Sequence, residues 1–269
     1  MSTAVLSAQR AIAGIHTLRQ FALAEQEADQ DLGLARRPTS ASLPFTVRLV
    51  NDNSSLSKAV QIRHAAYARH VPDFAEALKM PEASDFENGV AVLLAESKLD
   101  ATPLGTMRIQ TNRYRPLTLE KSVALPEWLH HSSLAEATRL AVANEGASRM
   151  VKTVLFKSFF LYCQQNAIDW MVITARAPID RQYDQLLFND VYPGLGYVPM
   201  AHVNNLPHRV MSFEVDTARA RWAQAKHPLF DFIFTTTHPD IQLQPADTGS
   251  IDDEPLSQKP RQLAHQTSV

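Results

Sequence analysis

Apolar residues change their spacing several times along this chain. Val5, Ile12, Ile15, Leu18 and Ala22 form an imperfect helical stripe, which predicts an amphipathic helix over residues 2–29. Arg36 to Ser42 is polar and proline-broken and reads as a linker. Residues 45–50 alternate as a first strand. Spacings of three and four then return in Leu56, Ala59, Val60, Arg63, Ala66, Tyr67 and His70, a helix that Ser54 or Ser55 can cap. Arg63 falls inside the apolar stripe. Residues 71–88 carry Asp73, Glu76, Glu82, Asp85 and Glu87 and predict a loop with a short helix, its acids mostly solvated.

Beyond this loop, residues 90–96 and 104–111 predict a strand pair, and 134–142 a central strand. Residues 150–165 are apolar almost all round, which marks a deeply buried helix. A buried strand follows at 170–175, then a helix over 181–188, a break at Pro193 to Gly196, and a final strand pair at 197–200 and 210–215. A short helix at 217–225 leads to an apolar segment, 228–234, that must cover something. The polar stretch after residue 242 has no periodicity and is expected to be disordered. The organisation is therefore 1–42 helix and linker, 43–242 a single domain with a covering segment, and 243–269 a tail.

The central strand holds the sharpest signal. Glu136 and Arg139 stand three apart in an otherwise apolar run, and charges there are costly unless paired or functional. Strand side chains alternate, so the two point to opposite faces unless a bulge inserts a residue between them. A buried ion pair that fixes register is the structural alternative. Arg108 likewise interrupts a short apolar strand. Arg149 and Lys152 lie in the first turn of the buried helix, where cations oppose the helix dipole by ~0.3–1 kcal/mol each. An anion held there, at the free amides near Ser148, would remove that cost. Two solvated cations are the plain alternative.

Composition narrows the classes. Net charge is -2, so no global field favours nucleic acid. The single cysteine, Cys163, lies in the apolar helix and is a core residue; a disulfide within the chain and a multi-cysteine zinc site are excluded. No metal site is expected, since His130 and His131 read as solvated loop residues. There is no membrane-spanning run, although the N-terminal helix could touch a membrane weakly; a cytoplasmic location is the default expectation. No glycine-rich phosphate loop, G-x-S-x-G elbow or H-E-x-x-H pair occurs.

Arg63-x-x-x-Tyr67, Asp85, Gly105-x-x-Arg108 and Glu136-x-x-Arg139-x-x-Val142, in this order, resemble the acyl-homoserine-lactone synthases and related N-acyl amino acid synthases of the GNAT N-acyltransferase superfamily. Leu195-Gly196-Tyr197 looks like the end of that fold's last helix–strand turn. The resemblance spans residues 45–215. It implies an α/β fold with a mixed, mainly antiparallel sheet flanked by helices, and transfer of a fatty acyl group from an acyl carrier protein to an amino-acid amine. Coenzyme A is the less expected donor, because the usual glycine-rich donor loop is reduced to Gly146. No cofactor would be permanently bound; the acyl-phosphopantetheine thioester is a substrate. Glu136 would be the base, Arg63, Asp85, Arg108 and Arg139 would serve the acceptor, and Val142, Ser148, Arg149 and Lys152 the donor. A tyrosine acid is common in the penultimate helix of such enzymes; the nearest register here gives Phe188, and Tyr183 and Tyr192 stay unassigned. A homoserine-lactone synthase using S-adenosylmethionine and a non-catalytic acyl- or carrier-binding module are the alternatives.

Overall fold

The structure is a computed structural model that describes residues 39–143 and 148–244. The expected N-terminal helix, Gly146, and the tail beyond residue 244 lie outside the described residues. In chain order the elements are β1 (Thr39–Ser40), β2 (Phe45–Leu49), α1 (Asn53–Ala68), α2 (Pro72–Ala75), β3 (Val90–Ser97), β4 (Pro103–Thr111) and β5 (Leu134–Val142). They continue with α3 (Ser148–Gln165), β6 (Trp170–Ala175), α4 (Asp180–Gln185), β7 (Asn189–Asp190), β8 (Val198–Met200), β9 (Leu206–Glu214), α5 (Ala218–Gln224), β10 (Thr236–Thr237) and β11 (Ile241–Gln242).

Nine strands form one mixed sheet in the order β11-β2-β3-β4-β5-β6-β9-β7, with β8 paired to β9. Pairing is antiparallel from β2 to β5 and parallel between β5 and β6. The expected architecture is therefore present. Three details differ. Asp52, not Ser54 or Ser55, caps α1, its carboxylate accepting from the Ser55 amide at 2.6 Å. The supposed linker contributes β1, which pairs in parallel with β10. The strand pair near the end is β8 with the first residues of β9, Leu206 to His208, while Val210 and the residues after it pair with β6.

Alternation along β5 and β6 gives the sheet two unlike faces. Ala135, Ala137, Met171, Ile173 and Ala175 face α3 and join Phe156, Phe159, Phe160, Phe213 and Trp222 in the main core. Gly105 makes the close approach possible: a Cβ there would lie 2.6 Å from a Val151 methyl. The 228–234 segment does cover this core, with Phe234 edge-on to Phe160 and Trp222. Leu243 is buried as well, so the ordered domain reaches past residue 242. On the other face, Leu134 and Val172 pack with Met200, Val203 and Val210 in a second cluster.

Candidate active site

Two backbone features create a site at the centre of the sheet. The first is a bulge. Thr106 pairs with Ala141 and Arg108 with Thr138, so Met107 on β4 is opposed by both Arg139 and Leu140 on β5. Arg139 takes a left-handed conformation, φ 55°, which is uncommon for any residue but glycine. The bulge brings Arg139 to the face that already carries Glu136, Thr138 and Arg108. This is the arrangement that lets one site use both charged residues of the strand. The second feature is a splay. β5 and β6 pair only from Leu134/Trp170 to Ala137/Ile173; beyond that row Thr174 and Ala175 pair with β9 alone. The end of β5 therefore turns one backbone edge toward a gap.

A network of charges fills the α1 face of this junction. Arg63, fully buried on α1, donates to both oxygens of Asp85 at 2.9 and 3.1 Å, and to Glu82 at 3.1 Å. Arg108 donates to Thr138, Ser84, Glu82 and Asp85. Arg139 grips Glu82 with a two-pronged fork, Nε to Oε2 at 2.8 Å and Nη2 to Oε1 at 2.7 Å. Arg139 also stands over the Phe74 ring at 5.0 Å. Glu82 is thus the hub, contrary to the expectation that it is solvated. Burial opposes its ionisation, but the bonds from Arg139 and the charges of Arg139, Arg108 and Arg63 hold it down at about 2. Arg139 thus pairs with an acid, and its Nη1 has no partner among the described residues.

Glu136 behaves differently. It is fully buried, pairs across the ladder with Gln110, and accepts from the Leu119 amide at 3.1 Å through Oε2. Oε1 has no partner. Burial pushes its carboxyl up to about 7, against the amides of Leu119 and Thr118 and the charges of Arg108 and Arg139. A carboxylate poised near neutrality suits proton acceptance from an amine. Three guanidiniums against Glu82 and Asp85 leave one positive charge while Glu136 is protonated, and none once it ionises.

The donor-side residues are spread over the other end of the gap. Val142 closes β5, and its carbonyl accepts from Arg69 at 3.0 Å. Ser148 opens α3, its side chain lying outside the described residues. Arg149 is exposed, and Lys152 Nζ is 3.4 Å from the Gln182 amide oxygen, which places α3 and α4 side by side at this end. The sequence left Tyr183 and Tyr192 unassigned and gave His202 no role. Phe188 is core, whereas Tyr183, five residues earlier, keeps its proton: burial and nearby Tyr67 push its hydroxyl up to about 12. Tyr67 packs against the second cluster and Tyr183 against the main core. Tyr192 instead donates to the Ala124 carbonyl. His202, between β8 and β9, touches Arg139 and carried no sequence signal.

No family model matches the chain, and no curated protein does. Solved structures do. An N-acyl amino acid synthase from uncultured soil microbes superposes with a TM-score of 0.54 at 20% identity, over 67% of this chain and 96% of that one. The chain has the GNAT N-acyltransferase fold. A CoA-dependent acyl-homoserine lactone synthase matches at a TM-score of 0.45 and 13% identity, over 72% and 93% of the two chains. A spermidine N-acetyltransferase from Vibrio cholerae matches at 0.42 and 11%, over 66% and 98%. The bulge and the splay described above are where this GNAT sheet opens.

Proposed function

We propose that this chain is an N-acyltransferase that moves a fatty acyl group from the phosphopantetheine thioester of an acyl carrier protein to the amine of a free amino acid. The observation that carries the reading is the pairing of a near-neutral, incompletely bonded Glu136 with a cationic cluster at the splayed strand. The edge of β5 beyond its pairing with β6, short of the Val142 carbonyl that Arg69 bonds, suits the amide groups of a pantetheine arm. Arg149 and Lys152, beside Ser148 at the start of α3, suit its phosphate. The amine nitrogen attacks the thioester carbon, a C–N bond forms and the C–S bond breaks. Glu136 takes the amine proton and the thiol leaves as thiolate; Tyr183, which stays protonated, is the candidate to return one. Glu136 is enclosed, so the segment that holds Glu82 and Asp85, or the Thr118–Leu119 turn, must move for an amine to reach it. The unpartnered Arg139 Nη1 favours an acceptor with a free carboxylate.

The test is product analysis by mass spectrometry with acyl carrier protein thioesters and a panel of amines. Amino acids should be acylated, and their amides should be poorer acceptors by about 1.5–3 kcal/mol, the scale of a hydrogen bond to a charged group. Equal rates for acids and amides would remove the carboxylate from recognition and point to a polyamine or protein amine.

A further inference from the structure

Among the described residues, Glu136 Oε1 and Arg139 Nη1 share their enclosed, unpartnered state with Arg63 Nε, Asp180 Oδ1, Trp222 Nε1 and His202 Nδ1; of these last four, His202 Nδ1 is the one lone pair next to Arg139. The reaction above gives His202 no task. Its turn is fixed by Met200 and Val203, which sit in the same apolar cluster as Val172. Val172 is the register partner of Glu136, and Thr174 follows it on the same face of β6. His202 Nε2 is 3.5 Å from Thr174 Oγ1, and the His202 carbonyl accepts from Arg139 Nη2 at 3.3 Å. The imidazole therefore lies across the gap from the bulge, on the face that carries Glu136. Burial first, then Arg139, His208, Arg108 and Lys121, keep the ring neutral, with its proton affinity lowered to about 3. A neutral ring is compatible with the guanidiniums around it; an imidazolium would be repelled by them.

We propose that His202 Nδ1 holds the amine of the acyl acceptor by a hydrogen bond, so that Glu136 can take the proton. This rests on the acyltransferase reading given above. With Nε2–H directed at Thr174 Oγ1, Nδ1 presents a lone pair and accepts from the amine N–H. The acceptor is then gripped at two points, its carboxylate at Arg139 Nη1 and its amine at His202. His202 binds and orients but stores no proton, because its affinity for one is too low.

The test compares wild type, His202→Phe, His202→Asn and Thr174→Val in steady-state transfer from an acyl carrier protein thioester to the best amino acid. His202→Phe should raise the acceptor KM by about tenfold, the worth of one hydrogen bond, while the donor KM changes less than twofold. His202→Asn, which can place an oxygen near the Nδ1 position, should recover most of the loss. The acid limb of the kcat profile should stay where it is in wild type. An unchanged acceptor KM in folded His202→Phe overturns the proposal, and so does a displaced acid limb. If His202→Phe does not fold, Thr174→Val decides: a severalfold rise in acceptor KM at an unaltered melting temperature supports the role, and no change refutes it. A wild type that binds donor but acylates no amine would sink the acyltransferase reading itself. Normal transfer with an indifferent His202 would sink only this one.

Discussion

On the α3 side of the central strands, Ala135, Ala137, Met171 and Ile173 meet Phe156, Phe159 and Phe160, an apolar layer crossed by aromatic pairs. One residue along on the same strands, Glu136, Thr138 and Thr174 face the arginines. The two sides share their backbone; parity assigns each position except Arg139, which the bulge turns to the charged side. One side gains stability from buried area. The other gathers Arg63, Arg108, Arg139, Glu82 and Asp85, leaves Arg63 Nε, Glu136 Oε1, Arg139 Nη1 and His202 Nδ1 without partners among the described residues, and holds Arg139 in a left-handed conformation. Strain and unmet polar groups tend to collect at working sites, so the comparison separates what builds this protein from what it uses.

Mutations on the two sides should therefore fail in different ways. Phe156→Ala, on the α3 side, removes a ring stacked on Trp222 and edge-on to Phe188 and Phe213. It should cost about 3–5 kcal/mol in urea unfolding, with little dependence on pH. Glu82→Gln, on the α1 side, should cost about 3 kcal/mol at pH 7. The sign follows from a folded-state pKa depressed to about 2 against the ordinary 4.5: the stabilisation is present above 4.5 and fades as pH falls toward 2. Unfolding titrations at pH 7 and pH 3 should show the difference from wild type shrinking by about half. A penalty that stays constant with pH would mean that Glu82 packs rather than pairs. The smallest effect belongs to the donor end. Arg149→Glu with Lys152→Glu should weaken donor affinity severalfold at low salt and leave the acceptor KM near its wild-type value, as expected for exposed charges meeting a phosphate. Donor affinity that ignores both reversals would place the phosphate elsewhere.

The apolar side was legible because alternation and helical spacing report burial directly. The strands from β2 to β6, helices α1 and α3, and the covering segment are where the periodicity places them. The charged residues within apolar patterns were legible as well: Arg63, Arg108, Glu136 and Arg139 do meet at one face, with Asp85. Glu82 was not, because five acids in an irregular segment look alike, and its partner Arg139 is 57 residues away, aimed by a bulge that the sequence allows but does not require. Asp52 lay among several residues able to cap a helix. His202 sits in a turn without periodicity, and its neighbours are set by the β8–β9 hairpin. Position within a pattern is local information, and pairing across a bulge is not.

Two acids of the α1 side, the part-buried Glu82 and the buried Glu136, sharpen the contrast and supply the decisive measurement. Glu82 is held ionised by its partners, whereas Glu136 is held near pH 7 by burial with one oxygen free. A raised carboxyl pKa stabilises the fold below about 4.5 and loses that contribution as pH rises toward 7, roughly 3 kcal/mol across the window. Glu136→Gln keeps the shape and cannot ionise. Turnover and urea unfolding should be measured on wild type and Glu136→Gln from pH 5 to 8.5. The account predicts a ~10²–10⁴-fold loss of kcat, together with a variant more stable than wild type at pH 8 and no such advantage at pH 5. A folded Glu136→Gln with wild-type turnover, or one that is markedly less stable at pH 8, would contradict it and return Glu136 to a structural role.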